Sequence, residues 1–532
     1  MTTTVPTHGG PALPVSVATD GKTIGRKAMR AYGFTSAADA AAAGYKCEAG
    51  PAMSVVQVTQ AQLNSGQYVL DGDPKALPLY AAPTGMAIEG GYSQPVFVVG
   101  GGLSVVGGAD AKIYGVSWGK VASPALTRTD AAVGMVAAAG VDANVVTNNF
   151  DSAEIYKDIV DVTDALGNVF VRIPKVYIEK TSGATATWRI SRGPFGNAYL
   201  PKCFGSDGYT YIGKYNASLS GTNKLESKSG TYPLINKTIV DNRGYAQANG
   251  AGYQQMDIHA VDLLQTLFLI EFATLNSQSI MAGFTAGRFN AADVATATEN
   301  GANRVVVANA TAAFFVVGQA ISCGTALGDI QNFYGRTITS ITVVDASNKA
   351  LNFDGAAANI ATGNTVWSSG WKSGFSASIA AKSGSPTHLT NGLYPAMYRG
   401  IENPWGSVWQ FVDGVNIAAN QAWVCPTAAS YASNLFAAPY EALSYANNNA
   451  NGYLTALGYD AGHPYAQFPT AVGGDATTYY SDYYYRAAGN MIALLGGSWR
   501  YGATAGLFCW LLNVASSFAG VIVGARLLRK AL

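Results

Sequence analysis

Few side chains in this 532-residue sequence are placed to do covalent chemistry. Its histidines, His8, His259, His388 and His463, and its cysteines, Cys47, Cys203, Cys323, Cys425 and Cys509, are scattered singly, with no Cys-x-x-Cys or Cys/His spacing that closes a zinc site. No histidine stands in a persuasive Ser/His/Asp order. The thiols therefore read as small buried groups, and their odd number argues against a disulfide framework and for folding in a reducing cytoplasm. His259 and Glu271 lie 12 residues apart on one predicted helix, several turns from one another, so each reads as a cap or a solvated face rather than half of a catalytic pair. Asp413, Asn416 and Asp475 offer oxygen ligands for calcium, but their spacing makes no dedicated loop, and the sequence leaves metal binding open.

The residues that stand out for binding lie near the end of the chain. Phe508, Trp510 and Leu512 alternate with Cys509, Leu511 and Asn513, and Ala519, Val521 and Val523 alternate with Phe518, Gly520 and Ile522. Successive side chains of a strand point to opposite faces, so these runs predict two strands, each with a regular face and an irregular one. The irregular face mixes a thiol, an amide, a glycine and large apolar groups as if no packing rule governed it. That makes it the candidate binding surface.

The elements that must carry this face are β-prone and turn-rich. Charged residues make up 12% of the chain, about half the usual share, while glycine (61) and tyrosine (30) are well above it. Lys plus Arg (33) nearly cancels Asp plus Glu (32), so no overall field attracts nucleic acid or anionic lipid. The length predicts several domains. Over residues 1–110, prolines enter short β-prone runs at 12–17, 76–80 and 94–99, with a helical patch at 36–44; this predicts edge strands in a β-rich attachment region or an independent β-domain. Glycines at 100–102, 107 and 108 mark a seam. Beyond it, residues 169–177 read as a strand broken at Pro174, with 188–191 as hairpin partner. Residues 257–272 read as a helix capped by Asp257, with Val261, Leu264, Phe268 and Phe272 on one face. Residues 284–392 read as a small all-β insertion with strands at 304–307, 313–318 and 338–344, and 408–412 as an aromatic strand ending at the Asp413-Gly414 turn signal. The N-terminus lacks a basic and apolar leader, and the apolar window at 264–273 is too short for a bilayer, so neither a secretory signal nor membrane insertion is expected.

Three phrases carry a resemblance: Arg399-Gly400-Ile401-Glu402-Asn403-Pro404-Trp405-Gly406, the tyrosine-rich run at 479–485, and the closing frame Gly496-Gly497-Ser498-Trp499 with Gly524-Ala525-Arg526-Leu527. Together they resemble the C-type-lectin-like domain at the ends of bacteriophage tail proteins, including the variable proteins of diversity-generating retroelements. The resemblance covers roughly residues 115–283 and 393–532. It implies an α+β, β-rich fold with the lectin-like domain in two parts, 111–283 and 393–532, interrupted by the inserted domain at 284–392. It further implies a receptor-binding protein of a tail fibre or tail tip, adsorbing to a host surface glycan or protein, joined to other virion proteins through 1–110, and trimeric by analogy with tail fibres.

In that family the variable positions arise from adenine-containing codons. Arg500, Tyr501, Thr504, Cys509, Leu511, Val514, Phe518, Gly520 and Ile522 are reachable from such a codon, with Asn513 as an unaltered template residue; these ten are the expected receptor-binding set. Trp510, Leu512, Ala515, Ser516, Ser517, Ala519, Val521 and Val523 are the expected scaffold, although the codon rule itself fixes only Trp510. Packing of Phe518 and Ile522 against the core or a neighbouring subunit is the alternative. The same broad fold resembles the formylglycine-generating enzymes, which use closely placed cysteines; only Cys509 lies in the frame, so neither an enzyme nor a cofactor is expected. A structural decoration protein of the virion is the third reading.

Overall fold

The computed structural model describes residues 111–532 throughout and, before them, only short paired strands, among them Ala76–Pro83 and Val96–Val99. The other N-terminal expectations, including the helical patch at 36–44, His8 and Cys47, lie outside the described residues. Tyr114–Ile190 and Leu200–Leu532 make one compact unit, and Met1–Ile113 with Ser191–Tyr199 another. The described residues are β-rich, with 33% strand and 11% helix.

The larger unit is organised around one buried helix. Helix α1, Ile239–Gln247, starts from a capping box in which the Thr238 hydroxyl accepts from the Asp241 N–H and the Asp241 carboxylate accepts from the Thr238 N–H. Helix α2, Ile258–Phe272, starts at Asp257, whose carboxylate accepts from the Ala260 N–H at 2.9 Å. All of its 15 residues are buried, so α2 has no solvated face. It packs against strands Tyr114–Trp118 and Trp409–Ala418, and its polar side chains find partners inside. Glu271, expected at a cap or in solvent, instead accepts two bonds from the Arg399 guanidinium, at 2.9 and 2.7 Å. Asn148 donates to the same carboxylate at 2.8 Å, and Asp151 lies 2.7 Å from the third guanidinium nitrogen.

His259 is likewise buried, 1% exposed, with its ring centroid 3.9 Å from that of Tyr465. Burial, then the charges of Lys202, Lys530 and His463, push its pKa from 6.5 to about 3, so the folded chain holds it neutral. The unfolded chain binds this proton below pH 6.5 and the folded chain does not, so stability falls as pH drops from 6.5 towards 3. Two pH units into that window the loss is about 2.7 kcal/mol. His259→Phe, which keeps a ring against Tyr465, is expected to remove this component, read as a flatter denaturant midpoint between pH 6.5 and about 4.5; an unchanged slope would show that His259 does not supply it.

The run at 169–177 breaks at Pro174, as expected: Val169–Pro174 joins a five-stranded sheet between Val160–Thr163 and Tyr209–Gly213, and Tyr177–Ser182 joins a four-stranded sheet beside Ala186–Ser191, which holds the expected partner at 188–191. The sheets depart from the sequence expectation at two points. Where an insertion was expected, Arg304–Ala308, Asn348–Phe353, Phe333–Val343, Ala320–Gly324 and Thr365–Ser368 form a five-stranded sheet over a core that includes Val305, Ile321, Phe333, Leu351 and Val366. Residues 313–318 are not a strand there; they follow a short helix, Asn309–Ala312, as turns. Asp413-Gly414 does not end its strand. Trp409–Ala418 runs through it with a register shift, and Gly414, at φ 81°, faces the Tyr431 ring so closely that a Cβ there would sit 2.9 Å from it.

The phrases behind the resemblance tie the two halves together. Leu527–Arg529 inserts between Tyr209–Gly213 and Tyr253–Gln255, bringing the end of the chain into a sheet made by its first half. Beside it Arg526 is completely buried and donates to five acceptors: the Gln410 side chain and the carbonyls of Gly213, Lys214, Glu402 and Asn403, at 2.7–3.2 Å. Burial pushes its pKa down to about 9, which leaves it charged at neutral pH. Glu402 accepts from the N–H groups of Gly374 and Ser376, and Trp405 donates to the Met281 carbonyl at 3.0 Å.

Candidate functional site

The terminal segment belongs to a nine-stranded sheet in which Trp409–Ala418, Asn490–Leu495, Trp510–Val514, Tyr483–Arg486 and Gly452–Leu457 lie side by side. Register partners share a face. Phe411 pairs with Leu494, Leu494 with Leu511, and Leu511 with Tyr485, so these four share one face. Period-two alternation adds Tyr483, and Tyr453 pairs with Tyr483. On the central strands this face is covered by Trp499, Trp367, Trp371 and Phe284, with the Trp367 and Trp499 rings stacked at 6.0 Å and 25°. Trp367, Trp371 and Phe284 come from residues 284–371, so this segment roofs the sheet.

Glycines thread the loop that brings Trp499 to this position. Gly497, at φ 77°, approaches Ala505 so closely that a Cβ would lie 2.5 Å from the alanine methyl, and at Gly506, φ 148°, a Cβ would overlap the buried Asp482 carboxylate. The Gly496 N–H donates to the Cys509 carbonyl at 2.9 Å, and the Trp499 N–H to Ser407 at 3.0 Å.

The expected binding residues divide under this roof. Cys509, Leu511 and Ile522 are 0%, 6% and 7% exposed and belong to the apolar core, so their assignment to an exposed face does not hold. Burial, together with the Asp482 charge, raises the Cys509 thiol well above its ordinary range. The strand Trp510–Val514 was expected to have one free face, but both are covered: opposite the tryptophan roof, Trp510 packs on Phe468 at 4.9 Å. Residues 518–522 are not a strand, and only Val523–Gly524 pairs, in parallel with Trp409 and Gln410. Of the expected scaffold, Trp510, Leu512 and Val523 are buried, but Ala515, Ser517 and Ala519 are exposed. Arg500 is exposed, and Tyr501, Thr504, Asn513, Val514, Phe518 and Gly520 are half-buried.

Where the roof ends, the same sheet face emerges as a row of half-buried tyrosines, of which the sequence reading gave a binding role to Tyr501 alone. Ring centroids step from Tyr453 to Tyr483 at 5.1 Å, to Tyr485 at 4.6 Å and to Tyr501 at 5.5 Å, and Tyr501 stands edge-on to Trp409 at 5.1 Å. Tyr485 shares a hydrogen bond with Thr504 at 3.0 Å, and Thr504 donates to the Tyr501 carbonyl. Burial raises the Tyr453 and Tyr485 hydroxyls, which keeps them protonated. At one end the Arg500 guanidinium carbon lies 4.8 Å from the Phe289 centroid and 5.7 Å from that of Tyr501. Phe289, Val514, Phe518 and Val521 pack half-buried on the adjoining core. The alternation of Tyr483 and Tyr485 around the buried Tyr484 was the sequence signal for this row.

The remaining candidates are occupied elsewhere. Asp413 pairs with Arg243 at 2.8 and 2.7 Å and accepts from Gln255, Asn416 donates to the carbonyls of Ala432 and Leu435, and Asp475 closes its own turn with Thr477 and Thr478. Among the described residues no group of three or more His, Cys, Asp or Glu is placed to hold a metal ion, and no helix is long and apolar enough to cross a membrane. Cys203, Cys323, Cys425 and Cys509 are free thiols, all buried. A cavity of about 420 Å³ lies apart from the tyrosine row, lined by Lys202, Tyr253, Gln254, Thr427 and Lys530 among others. No family model matches this chain, and a search of curated proteins found no match.

Proposed function

We propose that this chain is a receptor-binding protein of a phage tail fibre or tail tip, a trimer with a C-type-lectin-like fold, diversified by a retroelement and adsorbing to a host surface molecule. Residues 1–110 would join it to the virion. The observation that carries this reading is the aromatic face: a row of half-buried tyrosines and Arg500 on the part of a sheet face that lies beyond its tryptophan cover. Tyrosine and arginine are the side chains that concentrate binding energy at recognition surfaces, because a rigid ring gives large contact at low entropic cost. The face is held by core packing on one side and left open on the other, so side chains can change along its rim without unfolding the sheet beneath. Repetition around a trimer axis would multiply weak contacts into avidity.

Tyr485→Ala combined with Tyr501→Ala is expected to lower adsorption of the purified protein to host cells at least 30-fold, in line with the loss of two aromatic anchors at about 1 kcal/mol or more each, while the oligomer measured by light scattering is unchanged. Adsorption at the parental level would remove this face from the receptor site; loss of the oligomer would make it a subunit contact.

A further inference from the structure

We infer that the ligand of this face is an acidic glycan, its anionic group held by Arg500 and its sugar rings lying along the tyrosines; the inference rests on the receptor-binding reading. Arg500 is exposed, yet its guanidinium is held over two rings, Phe289 and Tyr501. Among the described residues it has no carboxylate partner, unlike Arg189, Arg243, Arg288, Arg304 and Arg399, each of which is ion-paired. A planar cation resting against two rings and without a carboxylate partner is placed to take a bidentate carboxylate, phosphate or sulfate.

The rest of the face fits a sugar better than a protein. Among the described residues the hydroxyls of Tyr453, Tyr483 and Tyr501 have no hydrogen-bond partner, whereas that of Tyr485 is paired with Thr504. Tyr453, Tyr483 and Tyr501 therefore each present an apolar body with a free polar rim. A pyranose is built the same way, with C–H groups on its face and hydroxyls around its edge, and successive rings along a glycan can follow successive rings along the row. A protein partner would need a desolvated apolar centre. The most exposed large apolar side chains among the described residues, Val145, Leu532 and Val343, belong to other segments.

The test uses the purified full chain on immobilised polygalacturonate and dextran sulfate, with carboxyl-reduced polygalacturonate and dextran as their neutral counterparts, and in parallel its adsorption to host cells. Retention is expected on at least one acidic polymer, at least tenfold above its neutral counterpart. Arg500→Gln should abolish that difference, and Tyr485→Ala should weaken retention on acidic and neutral polymers alike. Retention on none of the acidic polymers, or equal retention on acidic and neutral ones, overturns the inference. Host adsorption that survives Arg500→Gln but not Tyr485→Ala, or that is lost on protease treatment of the cells and not on periodate treatment, overturns the acidic glycan and leaves the receptor reading standing. Adsorption indifferent to both substitutions overturns both.

Discussion

Replacing Arg526 with Met is expected to cost about 3–5 kcal/mol of folding stability, a large part of what holds an ordinary domain together. The methionine fills much of the space but donates nothing, so the carbonyls of Gly213, Lys214, Glu402 and Asn403 and the Gln410 side chain lose their shared donor. A buried acceptor left unpaired costs about 1–3 kcal/mol. Bulk solvent does not reach these groups to substitute for the guanidinium: Arg526, Gln410 and Asn403 are each no more than 1% exposed. Arg526→Lys should recover less than half of the loss, because a single ammonium with three protons cannot reach acceptors on separate segments. Denaturant midpoints measure both variants. A loss below about 1 kcal/mol for the methionine would mean that the buried guanidinium does not tie the halves of the domain together.

The second large effect is expected at Leu511. If the terminal strand offered an open irregular face, Leu511→Asn would be harmless to folding. In the fold described here Leu511 lies between Leu494 and Tyr485 under the tryptophan roof. Truncating a buried leucine costs about 2–5 kcal/mol, and an amide placed there without partners adds about 1–3 kcal/mol. A total of about 4 kcal/mol or more is expected, with adsorption lost only because the protein unfolds. Asn513→Ala, two positions on and half-buried, should stay within about 0.5 kcal/mol.

What the sequence revealed follows from what local pattern can encode. Asp257 before an apolar run marked the start of α2, and the alternation at 510–512 marked a strand. Alternation states that a strand has two faces, but not what covers them. The cover over Leu511 comes from Phe284, Trp367 and Trp371, well over 100 positions earlier, so one face looked free when it was not. Glu271 looked solvated because carboxylates usually are; its partner, Arg399, lies 128 positions further on. The Asp413-Gly414 dipeptide has turn chemistry, but the left-handed glycine is used for a bulge inside a strand, packed on Tyr431. Within the candidate site, Arg500 and Tyr501 were legible from the terminal frame. The rest of the tyrosine row was visible only as the tyrosine-rich run at 479–485 until strand pairing placed Tyr453 beside Tyr483.

The central claim is that the terminal segment is split between core and recognition surface, and one measurement tests it directly. Every substitution at Cys509, Leu511 and Ile522, and at Tyr453, Tyr483, Tyr485, Arg500, Tyr501 and Phe518, would be scored in a single library for both folded yield and host adsorption. The account predicts that polar residues at the first three positions remove folded protein, whereas most substitutions at the other six keep it folded and change only adsorption. If the two sets prove equally intolerant for folding, or if polar residues at Leu511 and Ile522 leave folding intact while altering adsorption, the division is contradicted.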